Sequence, residues 1–173
     1  MRNRIHVRYG SRIGSALIWL AVHLIVASPA LAYVEPTRAL PHATGVLRGF
    51  DKPEHNWLPG HRGVDLALDI GAPVHAAEEG VVAFAGVVAG TPAVSIDHAD
   101  GIRTTYQPVY PQVNRGDQIS EGQIIGTLAH PFDGYPGLHW GAKKGTEYIN
   151  PLSLLSTPVI RLKPVGGLGD KPV

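Results

Sequence analysis

The sequence predicts an antiparallel all-β domain of the sandwich or barrel type. Between residues 50 and 156, glycine or proline recurs every few residues, and no long stretch has the apolar spacing of an amphipathic helix. Instead, short apolar runs are separated by turn sequences such as "HADG" and "NRGD". Short strands joined by tight turns are typical of two packed antiparallel sheets or of a barrel.

Five apolar runs provide the expected strands. They are "GVVAFAGVVAG" at 80–90, "AVSIDHADG" at 93–101, "IRTTYQPV" at 102–109, "QIIGTLA" at 123–129 and "LHWGA" at 138–142. The segment "NPLSLL" at 150–155 predicts one short helical turn after the last strand. No internal repeat is visible at a solenoid-like period.

The first 32 residues have the layout of a secretory signal peptide. Four arginines between positions 2 and 12 precede an apolar run from Ile13 to Ala27, and "ALA" at 30–32 supplies small residues before a cut. Cleavage after Ala32 is therefore expected. The alternative is a retained membrane anchor, but a spanning helix needs about 20 apolar residues, and this run is shorter and interrupted by His23.

The chain of 173 residues has room for one domain, since domains typically contain about 100 to 200 residues. We expect a mobile lead-in segment at 33–45, the domain at 46–156 and a flexible tail rich in proline and glycine at 157–173. The absence of cysteine excludes disulfides, thiolate chemistry and a lipid anchor on cysteine. The net charge of +1 gives no argument for nucleic acid as a partner, and no membrane association is expected after signal cleavage.

A histidine and an aspartate in "PGHRGVDLAL" can share one metal ion. His61 and Asp65 are four residues apart, and in an extended segment such residues point to the same side. Zinc accepts imidazole and carboxylate ligands, and a catalytic zinc site needs only three protein ligands. His139 is the best third ligand, because Leu138 and Trp140 on either side of it should face the core.

The pair alone is a weak signal, because most such pairs are surface polar residues or histidines with ordinary hydrogen-bond partners. The order of the surrounding motifs strengthens it: "GHRGVDLAL" is followed by "GAPVHAAEEGVVAFAG", "VSIDHADGIRTTYQPV", "VNRGDQISEGQIIGTLA" and "GLHWG". Over roughly residues 46–155, this order resembles the LytM/lysostaphin-type zinc endopeptidases, secreted enzymes that cut peptide cross-links of bacterial peptidoglycan.

The resemblance implies the LytM-type fold, a duplicated hybrid motif, with zinc bound by His61, Asp65 and His139. It also implies that the protein acts on peptidoglycan stem or cross-bridge peptides, and that it is secreted or resides in the cell envelope.

Two positions depart from the family's pattern. The last motif of the family usually reads "HLH", and Gly137 replaces its first, proton-handling histidine. A second active-site histidine usually follows the tyrosine of the central strand, where "TTYQPV" places Gln107. We expect Gly137 to share a strand face with His139. His130 in the loop "AHPFDGYPG" is a candidate substitute, although an ordinary solvated loop histidine is the simpler interpretation.

The sequence is compatible with two functions. The first is a zinc endopeptidase of the cell wall, weakened because both proton-handling histidines are missing. The second is a non-catalytic protein that binds the cell wall and regulates another peptidoglycan hydrolase. The three retained ligands favour a metal-dependent role. A lipoyl or biotinyl carrier, suggested by "VNRGDQISEGQIIG", is set aside because no lysine occurs between Lys52 and Lys143.

Overall fold

The computed structural model describes residues 33–55, 57–131 and 134–156. The expected signal peptide at 1–32 and the expected tail at 157–173 lie outside these residues. Within the described ranges, no helix is long and apolar enough to cross a membrane.

Short strands are the main regular structure of the described residues, as the sequence predicts. They are β1 (Val46–Arg48), β2 (Gly63–Leu66), β3 (Pro73–His75), β4 (Gly80–Val88), β5 (Thr91–Asp97), β6 (Ile102–Gln107), β7 (Val109–Pro111), β8 (Gln118–Ile119), β9 (Ile124–Leu128), β10 (Leu138–Lys144) and β11 (Glu147–Ile149). The predicted helical turn is a 3-10 helix at Pro151–Leu154, and the Asn150 side chain accepts a hydrogen bond from the Leu152 N–H at its start.

The strands form two antiparallel sheets. The larger sheet has the order β1-β2-β10-β6-β5-β4-β8, with β11 paired to β10, and the smaller sheet has the order β3-β9-β7. This arrangement confirms the predicted all-β antiparallel class. Successive residues of a strand point to opposite faces, so alternate side chains of a strand can face the core.

The central strands β6 and β10 show this alternation most clearly. Leu138 and Trp140 are fully buried, whereas His139 between them is only partly buried and lies on the other face. In β6, Thr104 and Tyr106 are fully buried, and the residues between the inward-facing positions are more accessible. The core side of the large sheet is therefore apolar, and its other side is free to carry polar groups.

The lead-in segment packs against the domain and is not the mobile segment that the sequence predicts. The Tyr33 ring is only 2% exposed, and its hydroxyl donates to the Asp100 carboxylate, 3.1 and 3.2 Å from its two oxygens. The Val34 N–H donates to the Ala77 carbonyl (2.7 Å), and Tyr33 forms a parallel β-bridge with Leu155. The prolines of this segment indicate mobility, but the buried Tyr33 ring and the backbone hydrogen bonds hold the segment against the domain.

A buried histidine, His98, links the segment just before β4 to the centre of β6. The Nδ1–H of His98 donates to the Glu79 carbonyl (2.7 Å), and its Nε2 lies 2.8 Å from the Thr104 hydroxyl oxygen. Burial lowers the pKa of His98, although the Glu79 carbonyl and the charges of Asp100 and Asp97 oppose that effect. This histidine is therefore held in its neutral form.

Acid should destabilise the wild-type protein more than a His98→Gln variant. Because the pKa of folded His98 lies below the value of about 6.5 for an unfolded histidine, its stabilising contribution is complete above that pH. The contribution is lost as the pH falls from there toward the folded-state pKa. Urea unfolding between about pH 7.5 and pH 5 should therefore show a shallower pH dependence in His98→Gln.

The matched control is His42→Gln, at an exposed position, which should keep the wild-type pH dependence. Parallel profiles for the wild type and His98→Gln would contradict the expectation.

Candidate metal centre

Residues from four adjacent strands form one row across the outer face of the large sheet. Arg48 of β1 pairs with Asp65 of β2, and Asp65 pairs with His139 of β10. On its other side, His139 pairs with Gln107 of β6. Strand pairing thus places a carboxylate, an imidazole and an amide next to one another, although they come from distant parts of the sequence.

The remaining member of the site, His61, lies just before β2. Its backbone forms two hydrogen bonds with Asp51, at 2.8 and 2.9 Å. The Nδ1–H of its ring donates to the Gly49 carbonyl (2.6 Å). This bond sets the ring orientation and directs Nε2 toward Asp65 and His139, which is the usual way in which a metal-binding histidine is held.

The three predicted ligands converge on one point. His61 Nε2 lies 3.0 Å from Asp65 Oδ1 and 3.0 Å from His139 Nδ1, and the last two atoms are 2.9 Å apart. Around a tetrahedral zinc ion with bonds of 2.0 to 2.1 Å, neighbouring ligand atoms lie about 3.3 Å apart. The nearly equilateral triangle of nitrogen and oxygen atoms is therefore close to the ligand spacing around a zinc ion. Zinc binding by these three residues stays a prediction.

Asp65 supplies the negative charge of the site. Burial raises the pKa of this carboxyl, but the hydrogen bond from His139 and the nearby charges of His61 and His139 outweigh burial, and its pKa is lowered. Both Asp65 and His61 are only 5% exposed. A carboxylate that stays ionised while shielded from water is suited to hold a cation.

Gly63 is a site residue that the sequence reasoning missed. A Cβ atom at this position would lie 2.7 Å from His139 Nε2 and 2.5 Å from the Trp140 carbonyl oxygen. Only glycine therefore leaves room for the His139 ring above β2. This glycine lies in the motif "HRGVD" between two of the predicted ligands. A glycine has no functional side chain, so the sequence alone does not indicate its steric role.

Gln107 lies beside the triad, where it lines two cavities. One has about 60 Å³ and is bounded by Pro108, Gly137 and His139, and the other is a groove of about 450 Å³ that also includes His139. Neither the Gln107 amide nor Pro108 carries a group that takes up a proton near neutral pH.

His130 is exposed in the loop after β9 and lines neither cavity. The loop borders the site, since the Ala129 N–H donates to the Pro108 carbonyl (2.9 Å). The suggestion that His130 replaces a missing histidine stays a prediction.

Gly137 does not share a strand face with His139, and that expectation was wrong. β10 begins only at Leu138, and Gly137 has a φ of +89°, a conformation that favours glycine. A Cβ atom there would lie 2.2 Å from the Leu66 carbonyl oxygen. The chain turns at this point instead of continuing the strand, so a histidine does not fit here without movement of the backbone.

Replacement of Gly137 should therefore be costly. We expect Gly137→Ala to lose more unfolding free energy than Gly101→Ala, because Gly101 also has a positive φ, of +81°, but no atom within 4 Å of the added Cβ. The backbone conformation alone costs about 1–2 kcal/mol in both variants, and only Gly137→Ala adds a steric clash. Urea unfolding measures both losses, and equal losses would contradict the steric argument.

Zinc should bind through the triad with one ion per chain. We expect His139→Ala to lose most of the bound zinc, as measured by elemental analysis after dialysis, whereas His130→Ala should bind zinc like the wild type. Zinc at about 100 times its Kd should stabilise the wild type by about 2.7 kcal/mol and His139→Ala hardly at all. Equal zinc content in the two variants would show that the ligand assignment is wrong.

An all-β domain with two histidines and an aspartate converging on its outer sheet face has the features of a metallopeptidase domain. Residues 59–151 match the model of Peptidase family M23. The chain therefore belongs to peptidase family M23, whose members are generally zinc-dependent.

Two curated relatives show how far the similarity extends. The chain is 48% identical over 134 residues to the uncharacterized protein Rv2891 of Mycobacterium tuberculosis, covering 72% of this chain and 53% of the relative. It is 34% identical over 107 residues to the DD-carboxypeptidase/endopeptidase Mpg of Neisseria gonorrhoeae, covering 60% of this chain and 25% of the relative. The chain thus spans about half the length of the first relative and a quarter of the second.

Solved structures confirm the LytM-type fold. Helicobacter pylori Csd3 superposes with a TM-score of 0.60 at 30% identity, covering 78% of this chain and 36% of Csd3. The SpoIIQ–SpoIIIAH pore-forming complex contains a chain that matches with a TM-score of 0.58 at 25% identity, covering 76% of this chain and 95% of that one. Lysostaphin matches with a TM-score of 0.50 at 26% identity, covering 62% of this chain and 49% of lysostaphin.

Proposed function

We propose that residues 46–156 form a zinc-dependent endopeptidase domain that slowly cleaves peptide bonds in the stem or cross-bridge peptides of peptidoglycan. The observation that carries the proposal is the convergence of His61, Asp65 and His139 beside an open groove. Membership of family M23, which acts on peptidoglycan, supports the choice of substrate. So does the similarity to a protein named DD-carboxypeptidase/endopeptidase.

The low rate follows from the residues around the triad. A bound zinc ion polarises a carbonyl group and lowers the pKa of a bound water to about 7. The Gln107 amide can donate a hydrogen bond to an oxygen of the substrate, but it cannot accept the proton that hydrolysis must move. Gly137 has no side chain, so neither of these two positions supplies a positioned acid–base group, which contributes about 10²- to 10⁴-fold.

Export is part of the proposal. The N-terminal segment has the layout of a signal peptide, and cleavage after Ala32 would bring the domain to the cell wall that contains its substrate. Mass spectrometry of the exported protein should then find Tyr33 as its first residue. A mature protein that retained Arg2 to Arg12 would contradict export by cleavage.

A second function is a protein that binds the cell wall and regulates another peptidoglycan hydrolase without cutting. The absence of a proton-handling group at Gln107 and Gly137 favours this alternative. The SpoIIQ structure supports it as well, since it was solved in a complex with another protein, SpoIIIAH.

The two functions differ in the release of peptide fragments from purified cell walls. We expect slow release by the wild type, none by His61→Ala, and faster release by Gln107→His, which places an imidazole beside the triad. The gain should lie near the lower end of the 10²- to 10⁴-fold range, because a second histidine does not fit at Gly137.

Gln107→Asn is the matched control and should remain as slow as the wild type, because it also carries an amide. A zinc-loaded wild type that releases nothing would favour the regulatory function. Fast release that did not change in either Gln107 variant would show that another group, such as His130, handles the proton.

A further inference from the structure

A groove of about 450 Å³ extends from the triad along the outer face of the large sheet. His61 and His139 line one part of it, and Tyr148 lines another. Among the described residues, no carboxylate lines the groove, but four cationic side chains do: Arg48, Arg62, Arg103 and Lys143. Its permanently charged side chains are therefore all positive.

The register of two strands sets the length of this groove. His139 lies opposite Gln107, and four residues further along β10 Lys143 lies opposite Arg103. At about 3.3 Å per residue, this second pair is about 13 Å from the triad. Gly141 lies midway and has no side chain to obstruct the floor. An extended peptide of about four residues spans this distance.

Two of the cations, Arg48 and Lys143, contact aromatic rings but no carboxylate among the described residues. The Arg48 guanidinium lies 4.4 Å from the centre of the Tyr135 ring, and the Lys143 ammonium lies 5.5 Å from the centre of the Tyr148 ring. Among the described residues, neither cation forms an ion pair with a carboxylate. A contact with a ring face restrains a cation without neutralising it.

The other two cations have fixed protein partners. Asp97 accepts two hydrogen bonds from the Arg103 guanidinium, at 2.6 and 2.8 Å. The Arg62 guanidinium donates to the Leu58 carbonyl (2.9 Å) and lies 5.9 Å from the centre of the Tyr148 ring. These contacts shape the walls of the groove, whereas Arg48 and Lys143 supply its uncompensated charge.

We propose that this groove binds a carboxylate of the substrate, about three or four residues from the bond held at the triad, and so selects acidic peptides. The inference rests on the proposed function, because it takes the triad as the position of the reacting bond. Lysine and arginine donate strong, charge-assisted hydrogen bonds to carboxylates. Since the whole chain has a net charge of only +1, the attraction is local to the groove and not a general affinity for polyanions.

Calorimetric titration of the zinc-loaded protein with two peptides tests this inference. The probes are acetyl-tetra-alanine with a free C-terminal carboxylate and the same peptide as its carboxamide. The acid should bind about tenfold more tightly than the amide at low salt, because the carboxylate gains charge-assisted hydrogen bonds. The preference should shrink as salt screens the charges.

Variants of two neighbouring lysines distinguish binding in the groove from a general effect of surface charge. Lys143→Ala should abolish the preference for the acid, whereas Lys144→Ala should keep it, because Lys144 is exposed and does not line the groove. Equal affinities of the wild type for acid and amide, no binding of either peptide, or the same preference in both variants would overturn the inference.

The titration measures binding without turnover, so it is independent of the cell-wall assay. Acid-selective binding without cleavage of cell walls would contradict the proposed catalysis alone. Zinc-dependent cleavage without any preference for the acid would contradict the groove proposal alone.

Discussion

The pairing of β10 with β2 on one side and with β6 on the other determines the whole site. It places His139 directly between Asp65 and Gln107, and it directs Trp140, the next residue, into the core. A shift of one residue in this register would turn His139 inward and a core residue outward. The burial of Leu138 and Trp140 therefore stabilises the fold and the position of His139 at the same time.

Glycines allow this pairing to support a metal site. Gly63 leaves space for the His139 ring, and Gly137 allows the chain to turn into β10 beside the Leu66 carbonyl. The conformation that brings the chain into β10 is thus incompatible with a side chain at the position where the family usually has its first histidine. At Gly137, the absence of a side chain and the local backbone geometry therefore go together.

The candidate ligands His61, Asp65 and His139 can be singled out in the sequence because the order of the surrounding motifs supports their local spacing. The four-residue spacing of His61 and Asp65 and the alternation around His139 both depend only on strand geometry. The cationic groove could not be predicted in this way, because Arg48 and Lys143 are far apart in sequence and resemble ordinary surface charges. Their placement along one groove depends on strand order and register, which the sequence does not reveal.

Two errors have a similar origin. Tyr33 was assigned to a mobile segment because its surroundings contain prolines, but its partners Asp100 and Leu155 are distant in sequence. Gly137 was placed on a strand face because strand alternation was extended one residue too far. Long-range contacts correct the first prediction, and a positive φ corrects the second.

The parallel bridge between Tyr33 and Leu155 also bears on how the domain can be combined with others. Because the first and last described segments lie side by side, the polypeptide enters and leaves the folded unit at one place. A unit of this kind can be joined to further modules, or inserted between them, without stretching the chain across its surface. The same architecture can therefore serve in proteins of very different size, and the matched relatives are about two to four times as long as the segments they share with this chain.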